Sequence, residues 1–420
     1  MRKGLLIGLA LAGVLALTAT GGTAATSQAT PGVTAKNITI GSTFPLTGPA
    51  SSYGVIPGAM KAYFSYVNKR KGPDGKRGVY GRQIIFKVYD DGYNPANSVQ
   101  LTRRLVEQDK VFAVVGQLGT EVNVAVQPYL NQAKVPHVLV SSGASTWYRD
   151  FKEFPWTGGW QPDYEFESRL YGQAIARNSP NAKIAILYQN DDYGKDYVRG
   201  LKAGLGAKAS NIVGEESFEV TATDVRSQVA KLRSTGATIF AIFATPRFTG
   251  QAYVFARLTG WNPPVIYTNS VSATDTILTA ARAGGAGDLV NNTYSVQYLK
   301  DPANPKWDSD AGMKLYKQVM STYAPSSLVT NGLNYYGVAV AHAFVQLLYK
   351  AGRNPTRDSL MKAYRTWNEA NIFALPGNKQ VTKGNDQVPI ACDQIVKFTD
   401  GTFRSVSRLK CASPSASAAG

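Results

Sequence analysis

The sequence predicts an α/β fold built as two similar lobes, and three observations carry that expectation. Its 420 residues exceed what one compact core usually holds. Short apolar strands alternate with amphipathic helices in two successive series. Between the series lies Phe154 to Pro162, whose glycines, prolines and tryptophans suit neither a long helix nor a central strand.

At the amino end, Met1-Arg2-Lys3, the apolar run Gly4 to Leu17 and small residues through Ala25 form the charged, apolar and cleavable zones of a secretory signal. The signal is expected to end near residue 29, with cleavage after Ala24, Ala25 or Ala29. Its apolar run is short for a membrane span, and no other run approaches the ~20 residues needed. The mature protein is therefore expected outside the cytoplasm: in a periplasm, at the outer face of the cytoplasmic membrane, or secreted.

In the first series Asn37 to Leu46 reads as a buried strand and Val55 to Val67 as a helix. Strand Arg82 to Asp90, helix Ala96 to Gln108, strand Val111 to Val115, helix Val122 to Gln132 and strand Val135 to Val140 follow. The second series runs strand Lys183 to Tyr188, helix Tyr193 to Leu205, strand Ile212 to Phe218, helix Val225 to Ser234, strand Thr238 to Ala244, helix Thr249 to Thr259 and strand Pro264 to Asn269. Such alternation implies parallel sheets covered on both faces. Beyond Leu289 a strand is expected at Asn292 to Tyr298, with helices near Ala311 to Tyr323, Leu333 to Lys350 and Arg357 to Thr366. The tail 412–420 is small and polar, the composition of a disordered end.

Near the carboxyl end, residues 394 to 406 alternate about Asp400-Gly401, which reads as a two-residue hairpin turn. That turn opposes residue 392 to 409 and makes Cys411 a diagonal neighbour of Cys392 on the same face. An oxidising compartment favours a disulfide between these two cysteines, the only ones in the chain, over two free thiols.

The formal charge is +17, or +15 once Arg2 and Lys3 leave with the signal. Lys and Arg are spread along the chain, and the one tight cluster, Lys69-Arg70-Lys71 with Lys76-Arg77, lies in a Gly/Pro-rich loop. It reads as a solvated loop, with no nucleic-acid partner expected, although a positive field favours anionic ligands or an anionic cell surface.

Catalytic and cofactor signatures are missing. No Gly-x-Gly-x-x-Gly follows the first strand, no phosphate-binding loop is complete, and no Gly-x-Ser-x-Gly elbow occurs. With only His137 and His342 and no spaced cysteines, neither a metal nor a cofactor is expected. Asp90-Asp91 and Asp191-Asp192 each close a strand, where capping the next helix or fixing a turn is expected of them rather than acid/base catalysis. A binding protein rather than an enzyme is expected.

The segment Asn37-Ile38-Thr39-Ile40-Gly41-Ser42-Thr43-Phe44-Pro45-Leu46-Thr47-Gly48-Pro49, with Tyr53-Gly54, resembles the first strand and loop of the branched-chain amino acid (Leu/Ile/Val) binding protein family of ABC transporters. Tyr89-Asp90-Asp91, Val114-Val115-Gly116 and Ile184-Ala185-Ile186-Leu187-Tyr188 running into Asp192-Tyr193-Gly194-Lys195 extend the likeness over nearly all of the mature chain. The resemblance implies a type I periplasmic binding protein fold, two Rossmann-like lobes joined by three hinge strands with the ligand between them. By analogy the crossings fall near Trp156 to Trp160, Leu289 to Tyr294 and Asn385 to Pro389. Lobe 1 then holds 36–158 and 290–386, and lobe 2 holds 159–289 and 387–411.

The family grips a ligand carboxylate with backbone N–H groups and hydroxyls at strand ends, where helix amino ends offer unpaired donors. The matching positions are Leu118, Gly119 and Thr120, and Gly143, Ala144 and Ser145. Tyr53 matches an aromatic wall and Tyr193 an aromatic from the second lobe. The family's carboxylate for a ligand ammonium falls at Ser270 in the loop Asn269-Ser270-Val271-Ser272, and another family aromatic is replaced within Ala244-Thr245-Pro246-Arg247. A buried ammonium without an anion is costly. The expected ligand is thus a hydrophobic or aromatic carboxylate, delivered by a monomer to an ABC permease and ATPase. Branched-chain amino acids, or a ligand-sensing receptor of the same fold, are the alternatives.

Overall fold

A computed structural model describes residue 1 and residues 30–412; the expected signal and residues 413–420 of the tail lie outside the described residues. The chain begins β1 (Asn37–Phe44), α1 (Ile56–Lys69), β2 (Gln83–Asp90), α2 (Pro95–Glu107), β3 (Val114–Val115), α3 (Thr120–Gln132), β4 (His137–Val140), α4 (Thr146–Arg149) and β5 (Thr157–Gly159). These strands form one sheet in the order β2-β1-β3-β4-β5, parallel throughout. A parallel strand flanked by helices is buried on both faces, which is why β4 reads His-Val-Leu-Val with all four residues buried.

The chain continues α5 (Tyr164–Asn178), β6 (Ile184–Gln189), α6 (Asp192–Leu205), β7 (Ile212–Phe218), α7 (Arg226–Ser234), β8 (Ile239–Phe243), α8 (Pro246–Leu258), β9 (Val265–Thr268), α9 (Asp275–Ala281) and β10 (Thr293–Gln297). It then builds α10 (Ala311–Tyr323), α11 (Gly332–Ala351), α12 (Arg357–Arg365) and a small hairpin of β11 (Asn368–Ala370) and β12 (Lys379–Val381). It closes with β13 (Cys392–Thr399), β14 (Thr402–Ser405) and β15 (Lys410–Cys411). The second sheet runs β14-β13-β10-β9-β8-β6-β7, with β15 on β13.

Helices α10, α11 and α12 return to the first lobe. Val338, Phe344, Met313 and Tyr364 share one apolar core with Ile38 and Ile40 of β1 and with Met60 of α1. Helix α11 packs on both α1 and α12, and accordingly it is apolar almost all round.

Several elements differ from the sequence expectation. Strand β3 is only two residues long, because Val111 to Ala113 reach β1 through separate backbone bonds such as Phe112 N–H to Thr39 O at 2.7 Å. Strand β10 hydrogen-bonds in the second sheet, parallel to β9 and antiparallel to β13, so the second crossing follows Gln297 instead of falling at Leu289 to Tyr294. Residues 293–297 accordingly belong with lobe 2 rather than the lobe 1 span that began at 290. The first crossing follows Gly159, at the end of the Trp156 to Trp160 segment. Helix α5, which the sequence reading left unassigned, fills the second lobe directly after it, capped by Asp163 accepting from Glu165 N–H and Phe166 N–H.

The carboxyl hairpin turns at Asp400-Gly401, both at positive φ, with Thr399 opposite Thr402. The two cysteines are disulfide-bonded. Cys392 pairs directly with Cys411 and not with residue 409, because the returning strand breaks between Ser405 and Lys410 and takes up two extra residues before pairing resumes.

Candidate functional site

The carboxyl ends of both sheets face one cleft, with a volume of about 970 Å³ counted out to its open mouth. The first lobe lines it with Tyr53 and Ile56 at the start of α1, with Tyr93, and with Leu118, Gly119 and Thr120 between β3 and α3. The second lobe contributes Tyr193, Thr245, Ser270 and Val271. The hinge adds Gln161, Tyr164, Tyr298 and neighbouring residues, and Tyr335 and Tyr336 of α11 complete the wall.

Helix α3 points its amino end into this cleft. Gly119, its N-cap, has φ of 106° and lies so close to Tyr93 that a Cβ there would sit 2.5 Å from the ring. Lacking a side chain, it leaves the first-turn amides of α3 without a cap from the protein, the arrangement that binds anions. Thr120 is 2 % exposed, and its hydroxyl meets Ser142 Oγ at 2.8 Å.

The second strand-end segment is placed differently. Gly143 abuts Pro162 O and the Tyr164 ring, Ala144 N–H donates to Ser142 Oγ at 3.2 Å, and neither lines the cleft. Ser145 is also absent from the lining. Its N–H donates to Asp196 Oδ2 at 2.7 Å and its hydroxyl to Oδ1 at 3.2 Å. Asp196 belongs to α6 of the second lobe, so a protein carboxylate occupies donors that the resemblance assigned to a ligand carboxylate.

Ser270 sits at the cleft wall, and behind it lies a carboxylate that the sequence reading missed. Glu167 of α5 is 1 % exposed and accepts from Ser270 N–H at 2.7 Å, Ser270 Oγ at 2.6 Å, Tyr171 OH at 2.6 Å and Tyr197 OH at 2.8 Å. Burial raises its pKa and these donors oppose the rise. The helical spacing of Tyr164, Glu167, Ser168, Tyr171 and Ile175 was the signal for this element. Asn269 lies outside the lining, its Oδ1 accepting from Ala244 N–H at 3.1 Å and so joining the ends of β8 and β9.

Two hydroxyls in the wall, Thr245 Oγ1 and Tyr193 OH, are buried with no protein partner, as is Asp275 Oδ1. Asp275 opens α9 beside Asp301 of the second crossing. Burial, and then the neighbouring charge of Asp301, push its pKa up to about 9. At neutral pH Asp275 therefore keeps its proton, and burial raises the pKa of Asp301 as well. Lys300 also lines the cleft, but its ammonium is held by Asp310 at 2.8 Å and by Ile372 O at 2.6 Å.

The lobes meet at several points besides Ser145 and Asp196. Tyr53 OH lies 3.4 Å from Ser272 Oγ, and Tyr336 OH donates to Gln161 Oε1 at 2.9 Å. Among the described residues no cluster could hold a metal ion, and no helix is long and apolar enough to cross a membrane.

Residues 37–402 match the family model described as a periplasmic binding protein. Among curated proteins, Leu/Ile/Val-binding protein homolog 3 of Brucella melitensis biotype 1 is 27 % identical over 206 residues. That match takes in 48 % of this chain and 53 % of the relative, so the chain spans about half the length of that protein. A branched chain amino acid ABC transporter from Thermus thermophilus with bound valine superposes with a TM-score of 0.77 at 17 % identity, over 90 % of this chain and 97 % of that one. A fatty acid ABC transporter substrate-binding protein from Thermomonospora curvata gives 0.75 at 21 % identity, over 93 % and 96 %. These two likenesses are likenesses of fold. With the family match running through both sheets and the cleft between them, the chain belongs to the periplasmic binding protein family, which binds solutes and is not enzymatic.

Proposed function

We infer that this protein is the extracytoplasmic substrate-binding component of an ABC importer, closing its lobes on a small hydrophobic or aromatic carboxylate and presenting it to a permease and ATPase. One observation carries the ligand class: the uncapped amino end of α3 opens into a cleft walled by tyrosines and aliphatic side chains, with Thr120 beside it. The carboxylate nearest the family's ammonium position, Glu167, already has four donors. The proton held by Asp275 leaves the cleft less repulsive to an anion than two ionised groups would make it. The secretory pattern of residues 1–29 and the Cys392–Cys411 disulfide support export, since disulfides persist in oxidising compartments.

A second reading, an amine-bearing acid such as a branched-chain amino acid, is favoured by the unpartnered Asp275 Oδ1 in the wall. Thermal-shift measurements with aromatic and aliphatic acids beside leucine, isoleucine and valine separate the two. The carboxylate reading expects stabilisation by acids without an α-amino group, and stabilisation by the three amino acids alone sinks it. Thr120→Ala is expected to weaken the responding acid about tenfold, the loss of roughly one good polar contact. Unchanged affinity by calorimetry removes Thr120 from the site.

A further inference from the structure

A parallel sheet brings all its strand starts to one end, opposite the cleft, and in the first lobe each of these starts is preceded by a cation. Arg82 precedes β2, Lys36 precedes β1, Lys110 precedes β3, Lys134 precedes β4 and Lys152 precedes β5. In the sheet order β2-β1-β3-β4-β5 they form a row.

Helix α1 starts at the cleft and ends at Lys69, so it delivers Arg70, Lys71, Lys76 and Arg77 to the same pole. Helix α11 runs the same way and adds Lys350 and Arg353, the latter stacked 5.8 Å from the ring centre of Tyr80. Apart from Arg82, which is half-buried, all of these side chains are exposed. Among the described residues none of them forms an ion pair with a carboxylate. The acids nearby are Asp74, Glu153, Asp358 and Glu107, the last paired with Arg103, while Asp109 is held by Lys87. On the second lobe, by contrast, Lys202 and Lys231 are matched by Glu215 and Glu216 of β7.

We propose that this pole of the first lobe is a docking surface for an anionic phospholipid bilayer. The cations stand on the tips of successive turns and present a broad front to a surface, and half-buried Tyr66, Tyr80 and Tyr349 between them offer the amphipathic rings that settle at a headgroup layer. Residues 30–34 pack against Phe112 and Arg82 at this same end. Adsorption there keeps the protein near the membrane plane and leaves the cleft, at the other end of the strands, free to load.

The test uses the protein recovered from the export pathway of a bacterial host, sedimented with vesicles of phosphatidylcholine alone or with one quarter phosphatidylglycerol. Binding to the phosphatidylglycerol vesicles, none to phosphatidylcholine, and loss of binding in 0.5 M NaCl are expected. Each charge removed should weaken partitioning roughly fivefold, so K69E/K71E and, on separate turns, K110E/K134E each lose more than tenfold. All four residues lie outside the cleft and are exposed, so an unchanged thermal unfolding midpoint and far-UV circular dichroism spectrum are expected and report that the variants fold. No binding to either vesicle, or binding indifferent to both variants and to salt, overturns the proposal. Tight binding of a soluble polyanion such as polyphosphate, with none to vesicles, replaces the lipid by a polymer.

Discussion

Asp275 and Glu167 are both buried carboxylates, and their surroundings set them opposite tasks. Glu167 meets four donors and organises the loop at Ser270, whereas Asp275 has one oxygen without a partner and a like charge beside it. An acid whose folded pKa is raised binds its proton more tightly folded than unfolded. Its stabilising contribution is full below its unfolded value near 4 and is lost as pH climbs through about 9. Asp275→Asn is therefore expected to flatten the fall of Tm between pH 6 and 9, and parallel Tm–pH curves for variant and wild type refute the assignment. Thr120 and Ser270 were legible as candidate cleft residues because the family resemblance places matching positions at these strand ends. The carboxylate behind Ser270 was not, since it comes from a helix 103 positions away.

At the scale of elements, most strands and helices follow from apolar periodicity, and the departures have local causes. Strand β5 was legible only as a break, because Gly158 and Gly159 carry no side chain to show an alternation. Their role is spatial. A Cβ on Gly158 would lie 2.2 Å from the Tyr364 ring, and Tyr364 OH donates to Gly159 O at 2.7 Å, clamping the first crossing to α12. Gly158→Ala should cost about 2 kcal/mol, as overpacking of a rigid core does. A urea midpoint lowered at unchanged slope is the expected reading, and an unshifted midpoint means the ring yields freely.

At the scale of the molecule, Asp196 of one lobe rests on Ser145 of the other. Closure of two lobes is a two-state equilibrium that a ligand biases. Asp196→Ala removes a contact made across the lobes, so the free protein should have a larger radius of gyration by small-angle scattering. Ligand affinity should drop about tenfold, by the fraction of closed molecules lost. An unchanged radius and affinity mean the contact does not govern closure. By itself the sequence determined the alternation of elements, the hairpin turn and the cysteine pair. Each of these is a property of residues close along the chain. Only the tertiary structure decided that β10 joins the second sheet, that Glu167 stands behind Ser270, and that Asp196 claims the donors of Ser145. Those partners lie tens of positions to about a hundred apart, 51 for Ser145 and Asp196 and 103 for Glu167 and Ser270. Periodicity reports which face of an element is buried, but a hydrogen bond depends on which atoms packing brings within 3 Å.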